Sequence, residues 1–565
     1  MVNGKSNRVA KINYGWVSKW YRGAIINEFS LPMRLLFKTI LLVSVLILPL
    51  CQPIASQDRA ADREVTILYT NDFHSAFDPI PAYWLPGEPK LGGAAQLASL
   101  INQYRQRAQT SFLFDSGDMF TGQLSFLTRG EALMEMMISM HYDAMAIGNH
   151  EFDYGSANFT RQMSLVPFPV LGANIYYKGT NHRYARPYTI IERNGVRLGV
   201  IGIIGGDAIG VVPAALVTDL EFRDPEPEVA AAVKELKDKV DLIVVLSHQG
   251  KTGPQQTDAE AHPDLQRDFD EDIKLCGDVP GIDIFIGGHA HIGIEKPYVH
   301  PQTGTIIVQT YGYGTRMGYL KLTVKDKKVI AHQGELVKVW SDQLKPDPAV
   351  AAKLAYYKQL VAPQIGEVLG VNKKRLVRDY RAESTLGSFV ADVMRERANA
   401  DVAIENAGGL RWDIPAGEIN KGHVLDALPF LNYLWTYEMT GAQIREVLEH
   451  SLSLIHGMAQ VSGLRAVYDM RQPVGHRLVE LRIGGQLADD RKRYRVAITN
   501  FIAEGGDEYY TLMKSQPIEK GPLLSESVMD YFRKHHEVTP PTMGRLVPLN
   551  ESDRAVPMAP KPPAK

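Results

Sequence analysis

Five segments of the sequence place acidic, histidine or asparagine residues directly after an apolar run of strand type. The residues in them that could hold metal ions are Asp72, His74, Asp118, Asn149, His248, His289 and His291. Carboxylate, imidazole and amide groups together suit two divalent ions, with one carboxylate bridging ions about 3.5–4 Å apart. Any one of these residues alone is usually a turn former or a hydrogen-bonded core group. The ordered set D-x-H, G-D, G-N-H-E, S-H and G-G-H-x-H predicts a two-metal hydrolase.

Alternating strands and helices must position these segments. The predicted strands are Val65–Thr70, Ser111–Phe114, Asp143–Ile147, Asp241–Leu246 and Asp283–Ile286. The helix-like stretches between them include Gly93–Arg105, Gly130–Met140 and Pro227–Lys239. This alternation predicts an α/β layered fold in which ligand-binding groups collect at the carboxyl ends of the strands.

The order of these motifs resembles the calcineurin-like metallophosphoesterases, and TNDFH with GNHEFDYG is similar to their 5′-nucleotidase and UDP-sugar hydrolase branch. The resemblance extends over nearly all of residues 64–549. It implies an N-terminal four-layer β-sandwich flanked by helices and a smaller α/β C-terminal domain. It also implies one ion held by Asp72, His74 and His291, a second held by Asn149, His248 and His289, and a bridge from Asp118.

The resemblance further implies a catalytic dyad of His150 and Asp153, in which the carboxylate orients the imidazole and supports its charge. A phosphate monoester is anionic and repels a nucleophile, so the metals must neutralise its oxygens and activate a water near neutral pH. His150 would stabilise charge on the phosphoryl oxygens or protonate the leaving oxygen; we favour the first role. Zinc, manganese or a mixture would suit these ligands.

The second domain is predicted to select the leaving group. Asn406 and Arg411 lie in NAGGLR, where the guanidinium could bind phosphate through its planar fork. From the residues alone, this segment is equally a glycine-rich turn, and Phe430 and Phe501 are more often core residues. The resemblance to nucleotide-binding segments of 5′-nucleotidases implies instead that the two rings clamp the base. Asp507 would then bind a ribose hydroxyl, and Asn406 and Arg411 would contact the nucleotide.

The segment Arg381–Gly387 departs from the family pattern, because Thr385 stands where family members commonly carry asparagine. The register of the preceding arginines is therefore open. We take Arg381 as the candidate substrate contact and keep Arg378 as the alternative. Ala290 stands where serine or threonine is commoner, a difference that should not affect His291 as a ligand.

Residues 1–56 are predicted to be a signal peptide, with Met33 as an alternative start. Basic residues precede an apolar run from Ile40 to Leu50, and small residues follow it, which is the order of a secretory signal. The run is shorter than the about 20 apolar residues of a membrane span. An uncleaved anchor and a lipidated Cys51 are less favoured alternatives. We therefore expect an exported protein, periplasmic or extracellular, without a stable membrane span after cleavage.

The remaining chain is predicted to form two domains. Residues 64–345 would be the metallophosphoesterase domain, 346–371 a linker helix with a hinge near it, 372–550 the nucleotide-binding domain and 551–565 a disordered tail. The formal net charge of −2 argues against binding to a nucleic-acid polymer, because such binding depends on neutralising phosphates. The oligomeric state is not predicted.

The predicted reaction is hydrolysis of nucleoside 5′-monophosphates to nucleoside and phosphate. UDP-sugars and cyclic nucleotides are further candidate substrates. One alternative is a thiosulfohydrolase-like enzyme that acts on a sulfur-containing group. A second is a catalytically silent nucleotide-binding surface protein, which the intact ligand set with His150 and Asp153 disfavours.

Overall fold

The computed structural model describes residues 62–82, 84–251 and 269–550. The predicted signal peptide, Cys51 and the predicted tail lie outside the described residues. In the ranges that are described, no helix combines the length and the apolarity needed to cross a bilayer.

Two six-stranded sheets form the centre of the N-terminal half. The first has the strand order Lys328–Lys338, Arg316–Lys325, Arg63–Thr70, Ser111–Asp115, Ala144–Ala146, Val170–Leu171. The second has the order Tyr298–Val299, Ile306–Val308, Ile284–Ile286, Leu242–His248, Val196–Ile204, Tyr188–Arg193. Four neighbouring strands in each sheet are parallel, and antiparallel strands complete the edges. The carboxyl ends of the parallel strands therefore meet at one edge of each sheet.

The alternation of side chains along each strand creates three apolar layers. Ile67 and Tyr69 pack with Val244 of the other sheet in one cluster, whereas Leu68 packs against helices on the outer face. Strands buried on both faces require nearly continuous apolar sequence, as the central strands show. The covering helices are Ala94–Arg107, Glu131–Met140 and Pro348–Ile365 on the first sheet, and Pro225–Leu236 and Asp270–Asp278 on the second. The predicted four-layer sandwich is confirmed.

Shorter elements surround this sandwich. The helices are Gly122–Thr128, Ser156–Leu165 and Gly206–Gly210, with single 3₁₀ turns at His150–Phe152, Ala214–Leu216 and Ser341–Gln343. Two small sheets pair Pro79–Pro81 with Lys90–Gly92, and Ile175–Tyr177 with Leu220–Phe222.

A helix over Pro348–Ile365 lies between the two halves. Asp347 caps it by accepting hydrogen bonds from the amides of Ala349 and Val350, and Pro348 occupies its first turn. The helix continues past Pro363 and ends at Ile365. A proline in the last turn removes one backbone hydrogen bond, but Ile365 packs against the cores of both halves.

The C-terminal half is a smaller α/β unit. Its main sheet has the order Gln460–Ser462, Val402–Glu405, Arg493–Thr499, Tyr433–Thr440, Glu519–Leu523. Two further sheets have the orders Gln486–Leu487, Leu478–Ile483, Leu464–Tyr468, Leu546–Pro548 and Gly417–Asn420, Val368–Asn372, Glu537–Val538. The helices are Thr385–Arg397, Lys421–Ala427, Gly441–Ser451, Asn500–Ala503 and Leu524–His535, with 3₁₀ turns at Ala407–Gly409 and Gly506–Glu508. Ile404 and Ala403 face opposite sides of the main sheet, so apolar clusters cover both faces.

Candidate active site

One group of predicted ligands lies where strand Arg63–Thr70 ends. His291 Nε2 is 3.5 Å and His74 Nε2 is 3.9 Å from Asp72 Oδ1. The two imidazole nitrogens are 2.8 Å apart. One carboxylate oxygen and two imidazole nitrogens therefore converge closely enough to hold a single ion.

A second group lies beside the first and shares Asp118 with it. His248 Nε2 is 3.1 Å from Asn149 Oδ1 and 3.1 Å from Asp118 Oδ1. The ligand atoms of Asp118, His248 and His289 all lie within 4.8 Å of one another. The other oxygen of Asp118, Oδ2, is 3.9 Å from His74 Nε2 in the first group. The two oxygens of one carboxylate thus face the two groups, which is the arrangement that a bridging ligand requires.

The backbone at these ligands is strained. Left-handed conformations, with φ between 46° and 68°, occur at Asp72, His74, Asp118, His289 and His291. Such conformations cost non-glycine residues of order 1–3 kcal/mol each and persist only where the surrounding structure enforces them. Gly148 allows the loops to approach, because a Cβ there would lie 2.3 Å from Asp118 Oδ1. The fold therefore holds the ligand side chains together at a cost in stability.

The electrostatics of the site fit divalent cations. Burial, followed by the charge of Arg411, holds the pKa of His74 and of His291 well below the ordinary value, so both imidazoles are neutral donors. Burial opposes ionisation of Asp118, but His248 and His150 outweigh it and hold the pKa of that carboxyl low. Neutral His74 and His291 beside an ionised carboxylate are donors that such ions prefer. Burial lowers the pKa of His248, but Asp118 outweighs burial and raises it to about 10, so this ring must release a proton to bind an ion.

His150 and Asp153 form the predicted pair. His150 Nδ1 is 3.1 Å from both carboxylate oxygens of Asp153, and its Nε2 is 3.8 Å from Asp118 Oδ2. Burial would lower the pKa of His150, but Asp153 and Asp118 outweigh burial and raise it. The carboxylate of Asp153 therefore fixes the ring and favours its protonated form, with Nε2 directed toward the shared carboxylate.

Glu151 is a part of the site that the sequence reasoning missed. Its fully buried carboxylate accepts hydrogen bonds from the amides of Gly148, Asp118 and Met119 at 2.7–2.9 Å. It thereby ties the loop of the shared ligand Asp118 to the loop that carries Asn149. The signal was available, because Glu151 is the last residue of the GNHE motif.

Asp207 was also missed. Its Oδ2 lies 3.1 Å from His289 Nε2, so it can fix that ring and leave Nδ1 for an ion, as carboxylates behind metal-binding histidines do. Asp207 follows strand Val196–Ile204, which repeats the pattern of an apolar strand followed by a polar residue. Extending the pattern to this strand would have identified it.

A cavity of about 220 Å³ lies between the two halves. Predicted residues from both halves line it: His74, Asp118, Asn149, His150, Asp153, His289, His291, Asn406, Arg411, Phe430, Phe501 and Asp507. Tyr380, Asn432 and Asn500 also line it and were not predicted. Among the described residues that line the cavity, Tyr380 is present and its neighbour Arg381 is not.

Arg411 extends from the C-terminal half to the predicted metal ligands. It is buried, and its Nη2 lies 3.4 Å from His74 Nε2. The guanidinium carbon is 5.6 Å from the centre of the Phe430 ring, and that ring stacks on His150 at 5.4 Å with an interplanar angle of 16°. The charged, aromatic and imidazole groups of the two halves therefore form one continuous surface.

At the other side of the cavity, Asn406 Nδ2 donates a hydrogen bond of 2.7 Å to Asp507 Oδ2. This bond fixes one oxygen of Asp507. The Phe501 ring covers Gly506, where an added Cβ would lie 2.5 Å from the ring. The structure thus brings together five of the six predicted recognition residues.

Two packed six-stranded sheets with metal-ligand groups at the ends of their strands are the features of a metallophosphoesterase. In agreement, residues 65–293 match the family model for calcineurin-like phosphoesterase. Residues 364–515 match the model for the C-terminal domain of 5′-nucleotidase.

Individual proteins narrow the class. A 5′-nucleotidase of Vibrio vulnificus is 30% identical over 528 residues, which cover 85% of this chain and 92% of that protein. The crystal structure of a 5′-nucleotidase precursor from Thermus thermophilus is 31% identical, with a TM-score of 0.75 over 86% of this chain and 100% of that one. The chain therefore belongs to the 5′-nucleotidase family, and it is a metal-dependent hydrolase of phosphate esters.

Two further comparisons show that the fold alone does not identify the substrate. A trifunctional nucleotide phosphoesterase of Bacillus subtilis is 28% identical over 86% of this chain, which spans only 35% of that longer protein. The Thermus thermophilus sulfate thiohydrolase SoxB is 21% identical, with a TM-score of 0.70 over 86% of this chain and 97% of that one. The fold is therefore shared with an enzyme of different chemistry, and the substrate must be argued from the site.

Proposed function

We propose that the protein hydrolyses nucleoside 5′-monophosphates to nucleoside and phosphate in the cavity between its two halves. The observation that carries this proposal is the position of Arg411, 3.4 Å from His74. A guanidinium next to metal ligands suits the phosphate of a substrate. The residues that suit a nucleoside, Phe430, Phe501 and Asp507, line the same cavity.

Two divalent ions, zinc, manganese or one of each, are the proposed cofactors. Asp72, His74 and His291 would hold one, Asn149, His248 and His289 the other, and Asp118 both. When bound, such ions neutralise phosphate oxygens and provide a nucleophilic water at neutral pH. We propose Asp207 and Glu151 as positioning residues, because their carboxylates fix His289 and the loops of Asp118 and Asn149.

His150 is the proposed catalytic residue. With Nδ1–H donating to Asp153, its Nε2 faces the cavity and can donate to a phosphoryl oxygen. The raised pKa favours the charged ring, which would stabilise negative charge as the P–O bond breaks. Asp153 holds the orientation and supports the charge.

Each of the proposed recognition residues would contact a different part of the nucleotide. Phe430 and Phe501 would stack on the base, and each stacking contact contributes about 1–3 kcal/mol. Asp507, fixed by Asn406, would accept a hydrogen bond from a ribose hydroxyl. Arg411 would contact the phosphate. Arg381 stays a predicted contact, one residue from Tyr380 in the cavity wall.

The rival function is hydrolysis of a sulfur-containing group. This function would use the same metal centre, but it gives no role to the hydrogen-bonded pair Asn406–Asp507 or to the Phe501 ring in the same cavity. UDP-sugars and cyclic nucleotides are further candidate substrates for the same cavity.

We also propose export to the periplasm or the cell exterior, and the division into domains at 64–345, 346–371 and 372–550.

The test is hydrolysis of AMP, UMP, UDP-glucose, a cyclic nucleotide and an aryl phosphate, followed by chromatography of the products and an assay of free phosphate, with manganese or zinc restored after chelation. Wild type is compared with His150→Ala and with His332→Ala, a control at an exposed histidine. We expect metal-dependent release that favours the monophosphates and falls roughly 10²–10⁴-fold only in His150→Ala. Activity on the aryl ester alone would reject the nucleotide assignment. No activity on any phosphate ester would favour the sulfur-containing substrate.

A further inference from the structure

A third group of metal-ligand side chains lies outside the proposed two-ion centre. The ligand atoms of Asp207, His456 and Glu508 are all within 4.8 Å of one another. Asp207 follows strand Val196–Ile204 in the N-terminal half, whereas His456 and Glu508 belong to the C-terminal half. The group therefore spans the junction of the halves.

His456 is the residue that indicates a ligand. Its side chain is only 3% exposed, and within the described ranges neither ring nitrogen has a hydrogen-bond partner. Nε2 lies 4.0 Å from Asp207 Oδ1 and 3.7 Å from Glu508 Oε2. Leaving a buried polar group without a hydrogen bond is destabilising, so an imidazole aimed between two carboxylates indicates that a ligand belongs there.

The separations suit a shared cation better than direct hydrogen bonds. Hydrogen bonds between nitrogen and oxygen span about 2.7–3.2 Å, and both contacts of His456 are longer. Ligands about 2.0–2.2 Å from one tetrahedral zinc ion are separated by roughly 3.3–3.6 Å, so the contacts of 3.7 and 4.0 Å need only a small contraction to bind an ion.

The two neighbours of His456 are suited to this role in different ways. Asp207 directs Oδ2 to His289 and Oδ1 to His456, so one carboxylate connects the two regions. The side chain of Glu508 is 43% exposed and gives an ion access from solvent. The group thus has a buried interior and an open side.

We propose that Asp207, His456 and Glu508 bind a third divalent transition-metal ion, for which zinc is the best match. One imidazole and two carboxylates are borderline and hard donors of the kind zinc accepts. The site uses none of the residues that would hold the two-ion centre. The proposal therefore does not depend on the assigned substrate.

The test measures bound zinc in the full-length protein after chelation, by equilibrium dialysis against buffered Zn²⁺ and mass spectrometry of the metal. The variants are Glu508→Gln and His456→Gln, with Glu504→Gln as a control at an exposed neighbouring glutamate. We expect wild type and Glu504→Gln to bind one equivalent more than the other two variants. Because Glu508 is partly exposed, its variant remains informative should His456→Gln fold poorly.

The difference in bound zinc between wild type and Glu508→Gln tests the third site. The number of zinc ions that Glu508→Gln still binds tests the two-ion centre separately. Equal stoichiometry in wild type and Glu508→Gln would overturn the proposal. In crystals grown in the presence of zinc, an anomalous diffraction peak between the three side chains would support the third site. A peak elsewhere with none at this position would contradict it.

Discussion

The two sides of the cavity are built in different ways. Of the seven predicted metal ligands, five have left-handed backbone, whereas Asp507 alone does so among the six predicted recognition residues. The ligand side stores strain because side chains from separate strand ends must converge within a few ångströms of one another. The recognition side uses aromatic faces and loops in ordinary conformations. We therefore expect the chemistry to be intolerant of substitution and the substrate preference to be adjustable.

Asp118→Asn should break the ligand side most severely. Asp118 faces both groups, through Oδ1 to His248 and Oδ2 to His74, so the substitution removes the shared negative charge. We expect kcat/KM to fall at least about a thousandfold, since metals supply several kcal/mol of charge stabilisation. Asp238→Asn, at an exposed helix end, is the matched control. An Asp118→Asn enzyme with more than a tenth of wild-type activity would contradict the bridging role.

Glu151→Ala tests whether the ligand loops depend on a residue that contacts no substrate. At least three buried amides would lose their acceptor. Leaving buried donors unsatisfied costs about 1–3 kcal/mol each. Because water can enter the space that the side chain leaves, we expect the lower part of the summed cost, a fall in the free energy of unfolding of roughly 3–5 kcal/mol. Chemical denaturation of the metal-free protein measures this without interference from metal affinity. A loss below about 1 kcal/mol would mean that the loops hold their conformation without Glu151.

Phe501→Leu should show the tolerance of the recognition side. Leucine keeps apolar contact over Gly506 but removes the aromatic face. We expect KM for AMP to rise about tenfold, the lower part of the range for one stacked base, with kcat changed little. The aryl phosphate serves as the internal control, because its small leaving group does not need the second ring. An equal loss on both substrates would place Phe501 in the support of the catalytic centre instead.

The same contrast explains what the sequence could predict. The candidate ligands could be chosen from the sequence because each lies at or shortly after the end of a strand, and strand order brings such positions to one edge of a sheet. Glu151 was missed because its partners are backbone amides, which no side-chain motif records. Arg381 was chosen on an uncertain register, and it is the neighbouring Tyr380 that lines the cavity among the described residues. Contacts set by loop packing are invisible to spacing alone.

Asp283→Asn sharpens the comparison at a buried carboxyl group away from the ligands, and its effect should be the smallest. Burial raises the pKa of Asp283 from 3.8 to about 6, although the amide of Ile243 donates a 2.8 Å hydrogen bond to it. A raised pKa in an acid means that folding disfavours the ionised form. The wild-type protein should therefore lose stability as the pH rises from about 4 to above 6.

Asparagine can accept the same hydrogen bond without ionising. The shift in pKa sets an upper limit of about 3 kcal/mol on the increase in the free energy of unfolding that Asp283→Asn can give. Because Asp283 is partly exposed, we expect an increase of roughly 1 kcal/mol at pH 7.5. At pH 4 the two proteins should unfold at the same denaturant concentration, which makes that pH the control. A variant that is less stable than wild type by the same amount at both pH values would show that the carboxyl group is needed for packing rather than tolerated as a charge.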